Sequence, residues 1–280
     1  MDKKIVFFDI DGTIWDFSGM IPNSARTAIK QLKENGHIPV ICTGRAKGHV
    51  RDEKLLNLGF DGMIAACGAH VEFKEKILYE SFLPDEIVRE IVELSEAYRV
   101  PIVLEGTVKH WISPWGFEHD DFVDRMYEIM GEDAINIDGY NPDMKANKFS
   151  GDIIDASDYT SFRREIEKNL EIIDHILTSD QKKGQDKFAD ANRVIGVFEG
   201  VTRGITKATG MKCLCDYLNV DIKDTIAIGD SNNDIEMINA AGIGIAMGSG
   251  SDKIKENADY ITDDLWDDGL RNALEHFGLI

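Results

Sequence analysis

The sequence predicts an α/β protein: a doubly wound parallel sheet interrupted by an inserted α+β domain. Three observations lead there. Short apolar runs at Ile5–Phe8, Ile38–Cys42, Gly62–Ala65 and Thr225–Ile228 have the length and composition of buried parallel strands. Segments of helical period follow them, as right-handed crossovers require. This alternation fills both ends of the chain but fails in the middle. From Phe82-Leu83-Pro84 to about Gly200, helices interleave with hairpin-like strand pairs instead. The expected organisation is therefore a core made of residues 1–82 and 200–280, with residues 83–199 as the insert.

The elements follow in order. After Ile5–Phe8 comes a turn-rich piece from Gly12 to Pro22. Asn23-Ser24 is placed to cap a helix whose apolar stripe is Ala25, Ala28, Ile29 and Leu32, and Gly36 ends it. Ile38–Cys42 reads as the second strand, with Pro39 near its start, and a short helix pattern runs from about Lys47 to Asn57. In the insert, a helix over Pro84–Tyr98 carries Ile87, Ile91 and Leu94 on one stripe. Strand-like runs stand at Ile102–Leu104 and Val108–Ile112, then a helix at about Asp120–Met130. A strand near Lys148–Ile154, a helix at Tyr159–Asn169 and runs at His175–Thr178 and Val194–Phe198 complete the insert. The core pattern returns after Gly204: a helix over Lys207–Leu218, the strand Thr225–Ile228, a helix over Asp234–Ala241, a strand at Ile243–Met247 and a final helix at Gly269–Phe277.

Composition narrows the function. Lys and Arg total 31 against 51 Asp and Glu, a formal net charge of −20. So acidic a chain repels a nucleic-acid backbone or an anionic membrane unless a basic patch overrides it, and no Lys/Arg run forms one. No apolar stretch approaches the ~18 residues of a membrane span, and the four apolar residues after Met1-Asp2-Lys3-Lys4 are too few for a signal-peptide core. Cys42, Cys67, Cys213 and Cys215 include no CxxC pair and read as reduced thiols. A cytoplasmic protein is expected. Oligomeric state stays open, because no heptad or exposed stripe stands out.

The chemistry gathers at strand ends. Ile5–Phe8 runs into Asp9-Ile10-Asp11-Gly12-Thr13, two carboxylates where an open α/β sheet binds its ligands. Crowded there, they call for a cation or a raised pKa on one of them. Ile38–Cys42 runs into Thr43-Gly44-Arg45, a hydroxyl and a glycine N–H suited to an oxyanion. Thr225–Ile228 runs into Gly229-Asp230-Ser231-Asn232-Asn233-Asp234, whose two acids can share one Mg²⁺, although Asn233 or Asp234 also suits a helix cap. Lys207 opens the preceding helix within reach of a phosphate.

Taken together and in this order, Asp9-x-Asp11, Thr43-Gly44, Lys207 and Gly229-Asp230 with Asn233-Asp234 resemble the four motifs of the haloacid dehalogenase-like hydrolases. Ile243–Gly248 and Asp268-Gly269 are similar to the tail of the Cof-type subfamily, which carries a large α/β cap between the second and third motifs. The resemblance implies a Rossmann-like core and a phosphatase of small phosphomonoesters, sugar phosphates foremost. Asp9 would be the nucleophile that forms an aspartyl-phosphate, and Asp11 the general acid and then base. Thr43, Gly44, Lys207 and Asn233 would bind the phosphoryl group. Asp9, the Asp11 carbonyl, Asp230 and Asp234 would hold Mg²⁺. In the cap, Glu105, His110, Arg125 and Glu199 are candidates for substrate specificity, with Lys109, Trp111 and Trp115 behind them. Two other readings stand beside this one: a phosphotransferase or mutase of the same superfamily, and a non-catalytic module that binds a phosphorylated ligand. Where many relatives carry Asn-Gly-Ala after the third strand, this chain has Cys67-Gly68-Ala69, and no thiol-activating partner marks Cys67 as a nucleophile. Gly242-Ile243-Gly244 starts a strand instead of following one, so it is no dinucleotide fingerprint.

Overall fold

The computed structural model describes residues 3–114, 121–154, 156–176 and 196–280. These divide into two compact units. One comprises residues up to Arg45, Arg51–Glu80 and Ile205–Ile280; the other comprises Ala46–Val50 and Ser81–Gly204.

The first unit is built on an eight-stranded sheet. Its strands are β1 (Ile5–Phe8), β2 (Ile38–Cys42), β3 (Gly62–Ala65), β4 (His70–Phe73), β5 (Lys76–Glu80), β12 (Ile226–Gly229), β13 (Ile243–Ala246) and β14 (Tyr260–Ile261), in the order β14-β13-β12-β1-β2-β3-β4-β5. Pairing is parallel from β14 to β3 and antiparallel through β4 and β5. From β1 the chain builds outward to β2 and β3, then returns to lay β12 on the other side. The topological switch point therefore lies at β1, where a doubly wound sheet opens its ligand crevice.

Every residue of β1, β2 and β12 is buried, which is why their runs are apolar throughout and do not alternate. One core cluster joins Ile5, Phe7, Val40 and Ala227 to Met211 and Leu214 of α6 (Lys207–Leu218) and to Met237 of α7 (Ile235–Ala240). Helix α1 (Asn23–Glu34) packs on α8 (Gly269–His276) and on β2. Two local expectations fail. No side chain caps α1: Pro22 is its N-cap residue, and Asn23 already lies inside the helix. The helix pattern after Lys47 breaks into a 3₁₀ turn at Lys47–His49 and a short α2 at Glu53–Leu56: Val50 leaves the helical region with φ −91° and ψ 81°, and Asp52 caps a new start by accepting the Lys54 N–H. The β4–β5 hairpin has no sequence signal. Its loop residues Lys74 and Glu75 take φ of 48° and 65°, positions where Asn-Gly would be expected.

The second unit has a six-stranded sheet in the order β10-β11-β9-β6-β7-β8. Its strands are β6 (Ile102–Glu105), β7 (His110–Ile112), β8 (Ala134–Asn136), β9 (Lys148–Asp152), β10 (Leu170–Ile176) and β11 (Gly196–Thr202), antiparallel except for β7 with β8. Helices α3 (Asp85–Tyr98) and α5 (Tyr159–Ile166) supply Val88, Ile91, Phe162 and Ile166 to its core. Helix α4 (Asp121–Met130) contributes Val123 and Met126 to a smaller cluster. Phe149 and Phe198 stand directly opposite Gly200 and Gly151 on the paired strands β9 and β11, and their rings cover the glycines.

Candidate active site

Three loops at the carboxyl ends of β1, β2 and β12 build one polar centre inside the first unit. Asp9 continues β1, its N–H bonded to the Ile228 carbonyl at 3.0 Å, and only 5% of it is exposed. The chain then turns back on itself: Gly12 N–H reaches the Trp15 carbonyl at 2.8 Å and Ile14 N–H the Ile10 carbonyl at 2.9 Å. Gly12 is required at that turn. Its φ is +81°, and a Cβ there would lie 2.4 Å from Asp230 Oδ2. Thr13 Oγ1 donates to Asp230 Oδ1 at 3.0 Å, joining the first loop to the third.

Lys207 opens α6 behind Thr206, which closes a capping box with Thr209. Lys207 is only 2% exposed, and its ammonium donates to Asp9 Oδ1 at 2.6 Å and to Asp234 Oδ1 at 2.5 Å. The other oxygen of Asp234 accepts from the N–H groups of Asp230 and Ser231 at 3.1 and 3.0 Å. Asp234 thus serves as both turn cap and anchor for Lys207. Gly229 gives it room, since a Cβ there would sit 2.6 Å from Asp234 Cγ. Thr43 is buried, and its Oγ1 accepts the Arg45 N–H at 3.1 Å, which leaves its O–H as a donor. Ser231 donates to Asn233 Oδ1 at 2.5 Å, so the amide end of Asn233 is what it offers a ligand.

The electrostatics follow from burial. Desolvation, reinforced by the Asp234 charge and only partly offset by Lys207, pushes the Asp9 carboxyl up to about 7. Desolvation followed by the charges of Asp9 and Asp234 pushes Asp230 up to about 8. Lys207 loses solvation too, yet Asp234 and Asp9 raise it well above the ordinary lysine value. Asp11 behaves differently. Burial opposes its charge, but Arg45 grips both its oxygens (Nε and Nη2, each at 2.7 Å), Trp15 Nε1 donates at 2.9 Å, and the carboxyl is lowered.

These residues fit a divalent cation. Oxygen atoms of Asp9, Asp230 and Asp234 lie within 4.8 Å of one another. Three carboxylates against one ammonium leave two negative charges when all are ionised, while Asp11 is matched by Arg45. An all-oxygen donor set with that charge suits Mg²⁺.

The second unit holds the remaining sequence candidates. Glu105 and His110 face each other across the β6–β7 hairpin, both buried, with His110 Nε2 3.9 Å from Glu105 Oε2. Glu199 pairs with the buried Lys148 at 2.8 Å, and Lys148 is 3.8 Å from Glu105, so these three sequence candidates belong to one polar cluster. Arg125 and Lys109 are exposed, Trp111 packs in the core of this unit, and Trp115 lies outside the described residues. Sequence reasoning missed Arg45, Trp15 and Thr13 as partners of the catalytic-type carboxylates. Arg45 had a signal, standing directly after Thr43-Gly44; Trp15 had none, because only the turn at Gly12 brings its indole back to Asp11.

Buried carboxylates bridged by a lysine at the switch point of a parallel sheet define a hydrolase of the phosphoryl-transfer kind. The chain belongs to the haloacid dehalogenase-like hydrolase family, whose profile matches residues 6–274, and it is a phosphatase-type member. Along its full length it is 28% identical to the putative phosphatase YkrA of Bacillus subtilis, covering 100% of each chain. It is 27% identical to the 5-amino-6-(5-phospho-D-ribitylamino)uracil phosphatase YitU of the same organism, over 98% of each. Among solved structures, the subclass IIB sugar phosphatase BT4131 superposes with a TM-score of 0.78 at 24% identity, over 99% of this chain and 100% of that one, and so shares the fold. Among the described residues, no helix is long and apolar enough to cross a membrane.

Proposed function

We propose that this protein is a cytoplasmic, Mg²⁺-dependent phosphatase of small phosphomonoesters, sugar and polyol phosphates foremost, acting through an aspartyl-phosphate on Asp9. The observation that carries the reading is the pairing of Asp9 with Lys207 at 2.6 Å in a buried centre where the carboxylates of Asp230 and Asp234 crowd beside them. YitU, similar along its whole length, is named for a phosphorylated ribityl compound, which supports the substrate class.

Asp9 attacks the phosphorus, and the bond from phosphorus to the ester oxygen breaks in line. Asp11 gives the leaving alkoxide its proton. Water then attacks the phosphorus of the acylphosphate, Asp11 takes its proton, and Asp9 leaves as a carboxylate with inorganic phosphate released. The Arg45 grip favours Asp11 ionised, the form needed in the second step; the first step needs the proton on Asp11 and a looser contact with Arg45. Lys207 offsets charge between nucleophile and phosphoryl group, and Thr43, Gly44 and Asn233 donate to the phosphoryl oxygens. Asp9, the Asp11 carbonyl and Asp230 would hold Mg²⁺, with Asp234 directly or through water. The ion supplies the positive charge that lets a carboxylate approach a phosphate dianion. The second unit supplies specificity, with Glu105, His110, Arg125 and Glu199 as the residues to test.

Release of inorganic phosphate from a panel of phosphomonoesters, with Mg²⁺ and with EDTA, tests the reading. Release only with Mg²⁺, strongest on sugar and polyol phosphates, is expected. Release undiminished by EDTA, or none from any ester, overturns it.

A further inference from the structure

We propose that His49, Glu105 and His110 form a second metal site, for a transition-metal ion of the zinc class, lying wholly within the second unit and distinct from the acidic centre at Asp9. One nitrogen of each imidazole and one carboxylate oxygen lie within 4.8 Å of one another. Some point therefore lies within about 2.8 Å of all three. Zn–N and Zn–O bonds of about 2.0–2.2 Å are reached from there by shifts under about 1 Å. Two imidazoles with one carboxylate select Zn²⁺ and its neighbours over Mg²⁺ or Ca²⁺, which take oxygen ligands.

The backbone builds this cluster from two places in the chain. Glu105 and His110 are partners in the antiparallel register of β6 and β7, so their side chains share one face of the hairpin. His49 comes from the 3₁₀ turn at Lys47–His49, and Gly48 lets that turn close on the hairpin. The Gly48 N–H bonds to the Gly106 carbonyl at 3.3 Å, and a Cβ at Gly48 would meet that oxygen at 2.7 Å and His110 Cε1 at 3.0 Å. The two rings then stand edge to face, centroids 6.2 Å apart.

The surroundings orient the carboxylate. Ser150 donates a hydrogen bond to Glu105 Oε1, and Oε2 is the oxygen on the His110 side, at 3.9 Å. A hydroxyl holding one oxygen so that the other faces the metal is the usual outer support of a ligating carboxylate. Lys148, the adverse charge nearby, sits 2.8 Å from Glu199 and 3.8 Å from Glu105 Oε1, the oxygen that Ser150 also holds. Glu105 and His110 are buried, while His49 is half-buried and gives the ion a way in.

The test is calorimetric titration of the EDTA-stripped, full-length protein with ZnCl₂, beside its His49→Ala, His110→Gln and Ser150→Ala variants, with circular dichroism on each. The wild type should bind one Zn²⁺ equivalent that both histidine variants lose or bind at least about 10-fold more weakly, and Ser150→Ala should weaken it about 10- to 100-fold. His49 sits in a turn and is half-buried, so its variant stays informative if His110→Gln fails to fold. Zn²⁺ binding that is the same in wild type and His49→Ala would place the ion outside this cluster and overturn the proposal, as would no binding at all. Because the readout is stoichiometry and affinity, the outcome is independent of whether the protein proves to be a phosphatase.

Discussion

Replacing Gly12 by alanine places a methyl group where the site has none to spare. The φ of +81° is left-handed, and holding alanine there costs about 1–2 kcal/mol. The new Cβ would start 2.4 Å from Asp230 Oδ2, 2.6 Å from Cγ and 3.0 Å from Oδ1. To regain ordinary contact the carboxylate must retreat by about 1 Å, breaking the 3.0 Å bond from Thr13 and spreading the cluster it forms with Asp9 and Asp234. Overpacking of this kind brings the expected loss of stability to about 2–5 kcal/mol. A displacement of about 1 Å at reacting groups lowers turnover on the order of 100-fold. Urea unfolding measures the first quantity; phosphate release across a Mg²⁺ titration measures the second, and the Mg²⁺ requirement should rise with it. Backbone strain alone would lower stability yet spare turnover. A Gly12→Ala protein with wild-type turnover and Mg²⁺ requirement would therefore refute the placement of Asp230 in the metal centre.

Asp9→Asn keeps the shape of the side chain and removes the proposed nucleophile; phosphate release should fall at least about 10³-fold with an unchanged circular-dichroism spectrum, and a collapsed spectrum would make Asp9 structural. His70 is buried and bonded at 3.1 Å to both Glu72 and Glu80; burial opposes its charge, but the two glutamates win and its pKa is raised. A raised folded-state value means this clasp stabilises fully below the unfolded histidine pKa of about 6.5 and fades as pH rises through the folded value. The stability gap between wild type and His70→Gln, from urea melts, should be wide at about pH 6 and narrow at about pH 9; a gap that widens with pH contradicts the assignment. Gly200→Ala would put a Cβ 1.9 Å from Phe149 Cε1, so the second unit should lose about 1–3 kcal/mol, read as a lowered urea midpoint; an unshifted midpoint would mean the ring covers nothing.

The strands that carry the chemistry were legible because their physics is local. Ile5–Phe8 and Ile38–Cys42 are buried on both faces, so they read as continuous apolar runs, and polar residues directly after them stand at the carboxyl end of the sheet. The acidic pairs at Asp9 and Asp230 were visible for the same reason. Elements set by distant partners were not. Lys74-Glu75 makes a hairpin turn without turn residues because β3 and its neighbours hold β4 and β5 in register. Gly151 and Gly200 look like strand breakers until Phe198 and Phe149 are found across the ladder.

The sequence by itself determined the α/β class, the strand ends and the identity of the groups that crowd there, since apolar pattern and residue type need no partner to be read. Only the tertiary structure decided which charges meet. Lys207 is 198 residues from Asp9, Arg45 is 34 from Asp11, and His49 reaches His110 through a glycine contact, none of which a local pattern encodes. The energies of such contacts depend on burial and on separations of a few ångströms, and both quantities exist only once the chain has folded.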